Sequence, residues 1–236
     1  MKIHRITYNP QEQSCSLYFI GCNFSCIGCY WKQIYGRVNI RLMKFLNLDE
    51  TIDIMRPAAP KRVCMISGEP RPCPEYDRLP QALHEAFGCE VRLMTNGHIL
   101  PRLSGLHHAS VSIKAYDSKL HRTYTGKSNV ATLQNFRLLH ESGVKVSASS
   151  VLIPGQIDQE EIINIARFIA GVDRNIPYRI IGYMPVEGLS YRPPTYDELE
   201  ETATRAKEFL NNVIFSDPTP HDYTGIEDLF TNNLRK

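Results

Sequence analysis

The chain has 236 residues, of which 42% are apolar and 22% are charged, and its formal net charge is +2. This length supports a substantial core in one large α/β domain or two small ones, and the charge balance gives no sign of nucleic-acid binding. No apolar run is long enough to span a membrane, and residues 1–13 lack the apolar segment of a signal peptide. We therefore expect a cytoplasmic protein, in which seven cysteines favour metal or redox chemistry over disulfides.

Short apolar runs alternate along the chain with longer amphipathic stretches. The predicted strands cover residues 16–21, 62–66, 90–94, 109–114, 144–153, 178–183 and 212–215. The predicted helices cover residues 48–55, 80–87, 130–141, 159–169 and 196–210. This alternation is typical of βαβ units around a parallel sheet, and about six such units fit the chain. An open doubly wound sheet and a complete or partial barrel both satisfy it.

Several chemically capable residues follow the ends of predicted strands. In either architecture the ligand site lies at the carboxyl ends of the strands. The residues at those positions are Cys22, Gly68, Glu69, residues 95–97, Lys114, residues 154–155, Tyr183 and Met184. Residues 217–236 carry no strong pattern, so we expect a core domain over 1–216 and a C-terminal extension that covers one end.

Three cysteines, Cys22, Cys26 and Cys29, form a C-x3-C-x2-C triplet directly after the first predicted strand. Thiols this close together in a loop can converge on one metal centre. Structural zinc sites use four protein ligands, and no second C-x-x-C pair follows. Three cysteines on a [4Fe–4S] cluster leave one iron open for a substrate. Cys15, Cys64, Cys73 and Cys89 are scattered, and a cysteine in or beside a strand usually behaves as a small apolar residue.

The triplet resembles the signature of the radical SAM superfamily, and three later motifs strengthen the resemblance. Residues 67–70 (Ser-Gly-Glu-Pro) resemble that family's Gly-Gly-Glu-Pro segment, residues 95–97 its Thr-Asn-Gly, and residues 151–155 the segment that flanks adenine. The resemblance covers residues 14–216 and implies a partial (β/α)6 barrel of parallel strands with outer helices.

The resemblance also implies cofactors and a reaction. Cys22, Cys26 and Cys29 would hold a [4Fe–4S] cluster, and S-adenosylmethionine (SAM) would chelate the open iron, with Glu69 near its amino group. Reductive cleavage of SAM would yield a 5′-deoxyadenosyl radical that abstracts hydrogen from a substrate. The residues implied in SAM binding are Ser67, Gly68, Glu69, Pro70, Thr95, Asn96, Ser112, Lys114, Ser149, Val151, Ile153, Tyr183 and Met184.

Residues 120–121, 126–129, 143–146, 154–155 and 192–195 resemble, in the same order, segments of enzymes that activate glycyl-radical enzymes, such as the pyruvate formate-lyase activating enzyme. Within this superfamily the chain looks most similar to those activases. The triplet region, with Gly28 before the last cysteine, is closer to the activases of anaerobic ribonucleotide reductase. Four positions depart from the pyruvate formate-lyase type. Ser112 replaces an aspartate, Ser149 an arginine, Met184 a histidine and Gly28 an aromatic residue.

The partners follow from the same resemblance. A protein substrate would be the source of the abstracted hydrogen, and a peptide, nucleoside or small metabolite is the alternative. The basic residues Lys32, Arg37, Arg41 and Lys44 after the triplet would contact an acidic reductant such as flavodoxin or ferredoxin, or would form a solvated face. We expect no membrane or nucleic-acid partner. A non-catalytic iron–sulfur module would need a fourth cysteine ligand, and an ordinary α/β enzyme would need a nucleophile, P-loop or dinucleotide fingerprint that is missing here.

Overall fold

The computed structural model describes residues 1–32, 42–69, 74–217 and 224–232. In this part of the chain, nine strands form one sheet in the order β8-β7-β6-β5-β4-β3-β2-β1-β9. The strands are β1 Ile3–Asn9, β2 Ser14–Phe19, β3 Arg62–Ile66, β4 Glu90–Thr95, β5 His108–Ser112, β6 Lys145–Leu152, β7 Tyr178–Gly182, β8 Val213–Ser216 and β9 Glu227–Thr231. The helices are α1 Leu48–Met55, α2 Pro74–Phe87, α3 Ser118–Thr125, α4 Val130–Glu141, α5 Gln159–Ala170 and α6 Tyr196–Ala206.

The prediction of an α/β fold with a parallel sheet is confirmed. Strands β2 to β8 pair in parallel with their neighbours in chain order, and their carboxyl ends meet at one edge. The sheet is not closed, because β8 and β9 lie at its two ends. The connection from β4 to β5 contains no helix, so the repeating βα pattern is interrupted once in the described residues.

The two faces of the parallel strands differ sharply. Helices pack on one face, where alternate side chains such as Leu17, Val91 and Val111 are fully buried. We call the opposite side the open face. It is formed by the alternate residues that point away from the helices, among them Arg62, Cys64, Glu90, Arg92, Met94, His108, Ser110, Ser112, Lys145, Ser147, Ser149 and Arg179. Met94 is 51% exposed, so solvent reaches this face.

The ends of two helices follow from their sequence. Asn47 caps α1 and Thr195 caps α6, and each forms a reciprocal capping box with a glutamate three residues later. Such a cap satisfies backbone N–H groups that the first helical turn leaves unpaired.

Three elements were not predicted, and one begins earlier than expected. Strand β1 pairs antiparallel with β2, and β9 pairs antiparallel with β1, so part of the expected C-terminal extension belongs to the sheet. Helix α3 is short and polar, and α2 starts at Pro74 rather than at residue 80. The division into 1–216 and 217–236 remains a prediction. Among the described residues no helix is both long and apolar enough to cross a membrane.

Candidate functional site

The loop that carries the three cysteines follows β2 and is fixed by the end of α3. The backbone N–H of Ser25 donates to the carbonyl of Thr125 at 2.8 Å, and that of Ile27 donates to the carbonyl of Tyr124 at 3.0 Å. The last carbonyls of a helix have no partner within the helix, so they are free to accept these bonds. The cysteine loop is therefore held by backbone groups that do not depend on the identity of its side chains.

Gly28, directly before the third cysteine, lies against two tyrosines. A Cβ atom at this position would stand 2.9 Å from the Tyr124 hydroxyl oxygen and 3.0 Å from Cε2 of Tyr183. Both rings are buried. The close approach explains why glycine, rather than an aromatic residue, precedes Cys29 here.

The three thiols differ in how deeply they are buried. Cys26 is buried, Cys29 is partly buried and Cys22 is exposed. Loss of hydration raises the pKa of both Cys22 and Cys26, the other two thiols of the triplet raise that of Cys26 further, and the ammonium of Lys114 opposes both shifts. In the described part of the chain, no three His, Cys, Asp or Glu side chains are already arranged to hold a metal ion. Ligation by this triplet therefore remains a prediction.

The turn after β3 brings Glu69 to the same edge of the sheet. Ser67 and Gly68 both adopt the left-handed backbone region, with φ of 53° and 63°. That conformation costs a serine about 1 kcal/mol or more, whereas glycine adopts it freely. The hydroxyl of Ser67 donates to the Phe19 carbonyl at 3.2 Å, and the N–H of Glu69 donates to the Gly21 carbonyl at 2.7 Å. These bonds tie the turn to the start of the cysteine loop.

The Glu69 carboxylate is 7% exposed and is held by the end of β4. Its oxygens accept from the Thr95 hydroxyl at 2.8 and 2.9 Å and from the Asn96 N–H at 2.7 Å. Burial raises the pKa of Glu69 to about 7, although these hydrogen bonds and the charge of Lys114 favour ionisation. Glu69 forms no ion pair within the described residues. A buried carboxylate of this kind is prepared to receive a cation.

Asn96 links this carboxylate to the cysteine loop. Its side-chain amide donates to Oδ1 of Asn23 at 2.6 Å and lies 3.7 Å from Sγ of Cys22. The backbone carbonyl of Asn96 accepts from the Thr132 hydroxyl at 3.0 Å. The residues of the Ser-Gly-Glu and Thr-Asn-Gly motifs thus meet beside Cys22.

Ser112, Lys114 and Ser149 form a second polar group at the carboxyl ends of β5 and β6. Ser112 and Ser149 are register neighbours on the two strands. The Lys114 ammonium donates to Oγ of Ser112 at 2.6 Å. Lys114 acts electrostatically on Cys22, Cys26 and Glu69, so this group belongs to the same region.

The remaining predicted site residues differ in burial and in their contacts. Val151 is partly exposed on the open face, Ile153 is fully buried, Met184 is partly exposed, and the buried Tyr183 hydroxyl accepts from the N–H of Val186 at 3.1 Å. Pro70 lies outside the described residues. The contacts of these residues with SAM remain predictions.

The basic segment after the triplet is only partly described. The Lys32 ammonium donates to the Ser25 carbonyl at 3.0 Å, and Lys44 pairs with Glu50 at 2.9 Å. Arg37 and Arg41 lie outside the described residues. Contact of this segment with a reductant remains a prediction.

The other cysteines are placed as the sequence suggested. Cys15 and Cys89 are almost completely buried at the opposite end of the sheet, and Cys64 is partly buried. Burial raises the pKa of Cys15 to about 12 and that of Cys89 to about 11, so both remain protonated at neutral pH. Cys73 lies outside the described residues.

The residues present fit both of the implied cofactors. Three thiols in one loop provide the thiolate donors that iron–sulfur clusters use. The Asn23 side-chain nitrogen beside Cys22 is buried and has no hydrogen-bond partner in the described residues, so it is free to donate to a sulfur. The buried Glu69 carboxylate can accept hydrogen bonds from an amino group.

Sequence reasoning missed Asn23, Tyr124 and α3 itself as parts of the site. The signals for this helix were present. Asp117 caps it by accepting from the N–H of Leu120 at 2.7 Å, and Gly126 ends it in the left-handed conformation. The role of Tyr124 depends on where α3 packs, which no local motif encodes.

Comparisons with known proteins find chains of similar sequence and structures of similar fold. A Methanocaldococcus jannaschii protein named "Putative glycyl-radical enzyme activating enzyme" is 29% identical over 219 residues, which cover 88% of this chain and 82% of that protein. SuiB of Streptococcus suis, solved with bound SAM, is similar with a TM-score of 0.67 at 19% identity over 87% of this chain and 50% of its own. A radical SAM methyltransferase of Sphaerobacter thermophilus gives a TM-score of 0.68 at 16% identity, over 86% of this chain and 66% of its own.

The two structural similarities show the fold, and this chain spans only half of SuiB. The sequence pattern of the family described as "Radical SAM superfamily" matches residues 17–169. This stretch runs from β2 to α5 and includes the cysteine loop, the Glu69 turn and the Thr95–Asn96 strand end. The chain belongs to the radical SAM superfamily.

Proposed function

We propose that this radical SAM enzyme uses a [4Fe–4S] cluster on Cys22, Cys26 and Cys29 to cleave SAM reductively and to abstract hydrogen from a protein partner. The activase-like subtype is supported by the 29% identical Methanocaldococcus jannaschii relative, which aligns over most of both chains. The observation that carries the proposal is the buried Glu69 carboxylate, joined through Asn96 to the cysteine loop.

Each group in this arrangement has a role that its contacts suggest. When bound, the cluster and SAM supply the electron and the 5′-deoxyadenosyl group of the reaction. Glu69 would accept from the amino group of SAM, oriented by Thr95 and Asn96. Lys114, held by Ser112, would lie near the carboxylate of SAM. Tyr124 and Tyr183 cover one side of the loop at Gly28 and exclude water there.

The first test is anaerobic reconstitution with iron and sulfide, followed by reduction and addition of SAM. We expect 5′-deoxyadenosine and a SAM-dependent change in the electron paramagnetic resonance (EPR) signal of the cluster. Glu69→Gln is expected to weaken SAM binding at least tenfold while the iron content is retained. Glu208→Gln, a change of an exposed carboxylate, is the matched control. A cluster that ignores SAM and yields no 5′-deoxyadenosine would contradict the proposal.

The protein partner needs a separate test, because a peptide or small metabolite is the alternative substrate. SuiB, which shares the fold, has also been solved with its precursor peptide. A purified glycyl-radical enzyme deuterated at glycine Cα should transfer deuterium into 5′-deoxyadenosine and acquire a glycine-centred EPR signal. If neither occurs while SAM is still cleaved, the peptide or metabolite alternative is favoured.

A further inference from the structure

The open face carries a clear excess of positive charge. Its basic side chains on β3, β4, β6 and β7 are Arg62, Arg92, Lys145 and Arg179, against one acidic side chain, Glu90. Glu90 contacts Arg62 at 3.5 Å and Arg92 at 3.0 Å, and Glu12, which precedes β2, lies 3.8 Å from Arg62, so Arg62 is paired and Arg92 shares its carboxylate. Lys145 and Arg179 are exposed, and neither forms an ion pair with a residue that the structure describes.

One of these basic groups has an unused donor. Nε of Arg92 is buried and lacks a hydrogen-bond partner within the described ranges, although Nη2 of the same side chain contacts Glu90. Leaving a buried donor of a charged group unpaired is costly, and an anionic acceptor on the open face would remove that cost.

His108 lies between these cations and is uncharged at neutral pH. It lies in register between Arg92 on β4 and Lys145 on β6. Burial and the positive charge of Arg92 lower the pKa of His108, so the ring is neutral at pH 7. Its Nε2 lies 3.1 Å from Oγ of Ser147, another polar residue of the open face.

The spacing of the cations indicates what kind of anion fits. Arg92 and Lys145 are two strands apart, which corresponds to about 10 Å. Arg179 is the register neighbour of Ser149, four residues beyond Lys145 along β6, which corresponds to about 13 Å. Charges this far apart do not converge on a single phosphate. They suit several carboxylates on an extended segment, where alternate side chains recur about every 7 Å: Lys145 and Arg179 are about two such steps apart, and Arg92 lies about 10 Å to one side of that line.

We propose that the open face binds an acidic segment of the protein substrate, and that Arg92, Lys145 and Arg179 determine this specificity. The inference rests on the proposed function, in which the substrate is a protein, and it names the type of segment that enters the site. The open face leads to the strand ends where Cys22 and Glu69 lie, so a segment bound there runs toward the reaction site.

A synthetic peptide tests this directly. A fluorescent peptide that alternates glutamate and glycine is titrated with the reconstituted full chain at about 50 mM salt and followed by anisotropy. The matched peptide carries lysine in place of each glutamate. We expect binding of the acidic peptide only, and weaker binding as salt is raised.

Two variants localise the binding. Lys145→Glu combined with Arg179→Glu changes exposed side chains and is expected to weaken acidic-peptide binding at least tenfold. Lys207→Glu alters a lysine that is also exposed, at the end of α6 on the helix side of the sheet, and should change binding less than twofold. Thermal unfolding of each variant checks that the fold is retained.

Several outcomes would overturn the inference. They are equal binding of both peptides, no binding of either peptide, or an equal loss of acidic-peptide binding in Lys207→Glu. Complete displacement of the acidic peptide by inorganic phosphate, at the same total concentration of negative charge, would also overturn it. The last result would indicate a site for a small anion. SAM cleavage by the unaltered enzyme reports on the proposed function separately. Cleavage without peptide discrimination refutes only this inference, and acidic-peptide binding without cleavage refutes only the proposed function.

Discussion

Replacing the buried carboxylate Glu69 by an amide tests the central electrostatic argument. Glu69 is 7% exposed, and burial raises its pKa to about 7. In an unfolded chain the pKa of a glutamate is near 4.5. Glu69→Gln keeps the size of the side chain, an acceptor for the Asn96 N–H and a polar contact with Thr95. It removes the charge and replaces one of the two acceptor oxygens with an amide group that donates.

The direction of the effect follows from proton linkage. Below about pH 4.5 the carboxyl is protonated in both the folded and unfolded states. Between pH 4.5 and 7 the folded protein retains the proton that the unfolded chain has lost, so the free energy of unfolding falls as pH rises. Above the folded pKa the loss stays constant. Between pH 5 and pH 8 these values give a loss of about 2.5 kcal/mol that Glu69→Gln should not show.

Urea unfolding of the cluster-free, reduced protein at several pH values measures this difference. We expect the stability of Glu69→Gln relative to the unaltered protein to rise by about 2.5 kcal/mol from pH 5 to pH 8. Glu208→Gln, which changes an exposed carboxylate two residues after α6, controls for the general effect of removing a carboxylate. A difference that stays flat within about 0.5 kcal/mol over this range would refute the reasoning.

Two further predictions concern the cysteine loop. Gly28→Ala would place a methyl group 2.9 Å from the Tyr124 hydroxyl and 3.0 Å from Tyr183, so the iron content after reconstitution should fall severalfold, as measured by iron and sulfide assay. Cys26→Ala should abolish the cluster absorbance while far-ultraviolet circular dichroism is retained, whereas Cys15→Ala, which removes a buried core thiol, should leave the absorbance intact once the protein is folded.

The sequence was sufficient for the parallel part of the fold. Helix Val130–Glu141 and strand Arg62–Ile66 were predicted with the bounds that the structure gives them, because each has one clear period and a defined end. Strands β1 and β9 were missed because they are antiparallel additions at one side of the sheet. Their pairing depends on contacts between the two ends of the chain, which local patterns do not report.

The site shows the same division between local motifs and long-range packing. Glu69, Thr95 and Asn96 were predicted as one group because each follows a strand in a parallel sheet, and such strand ends meet. The contact between Gly28 and Tyr124 could not be predicted in this way. It requires the position at which α3 packs against the cysteine loop, and the capping residues of α3 do not encode that position.

The raised pKa of Glu69 also links folding stability to cofactor binding. The ionised carboxylate destabilises the empty site, and the amino group of SAM would compensate for that charge on binding. The affinity for SAM should therefore rise with pH up to about the folded pKa of Glu69, near 7, and then level off. Glu69→Gln should bind SAM more weakly and without this rise. Calorimetric titration of the reconstituted enzyme from pH 6 to 8 measures both, and an identical pH profile in the two proteins would assign the pH dependence to another group.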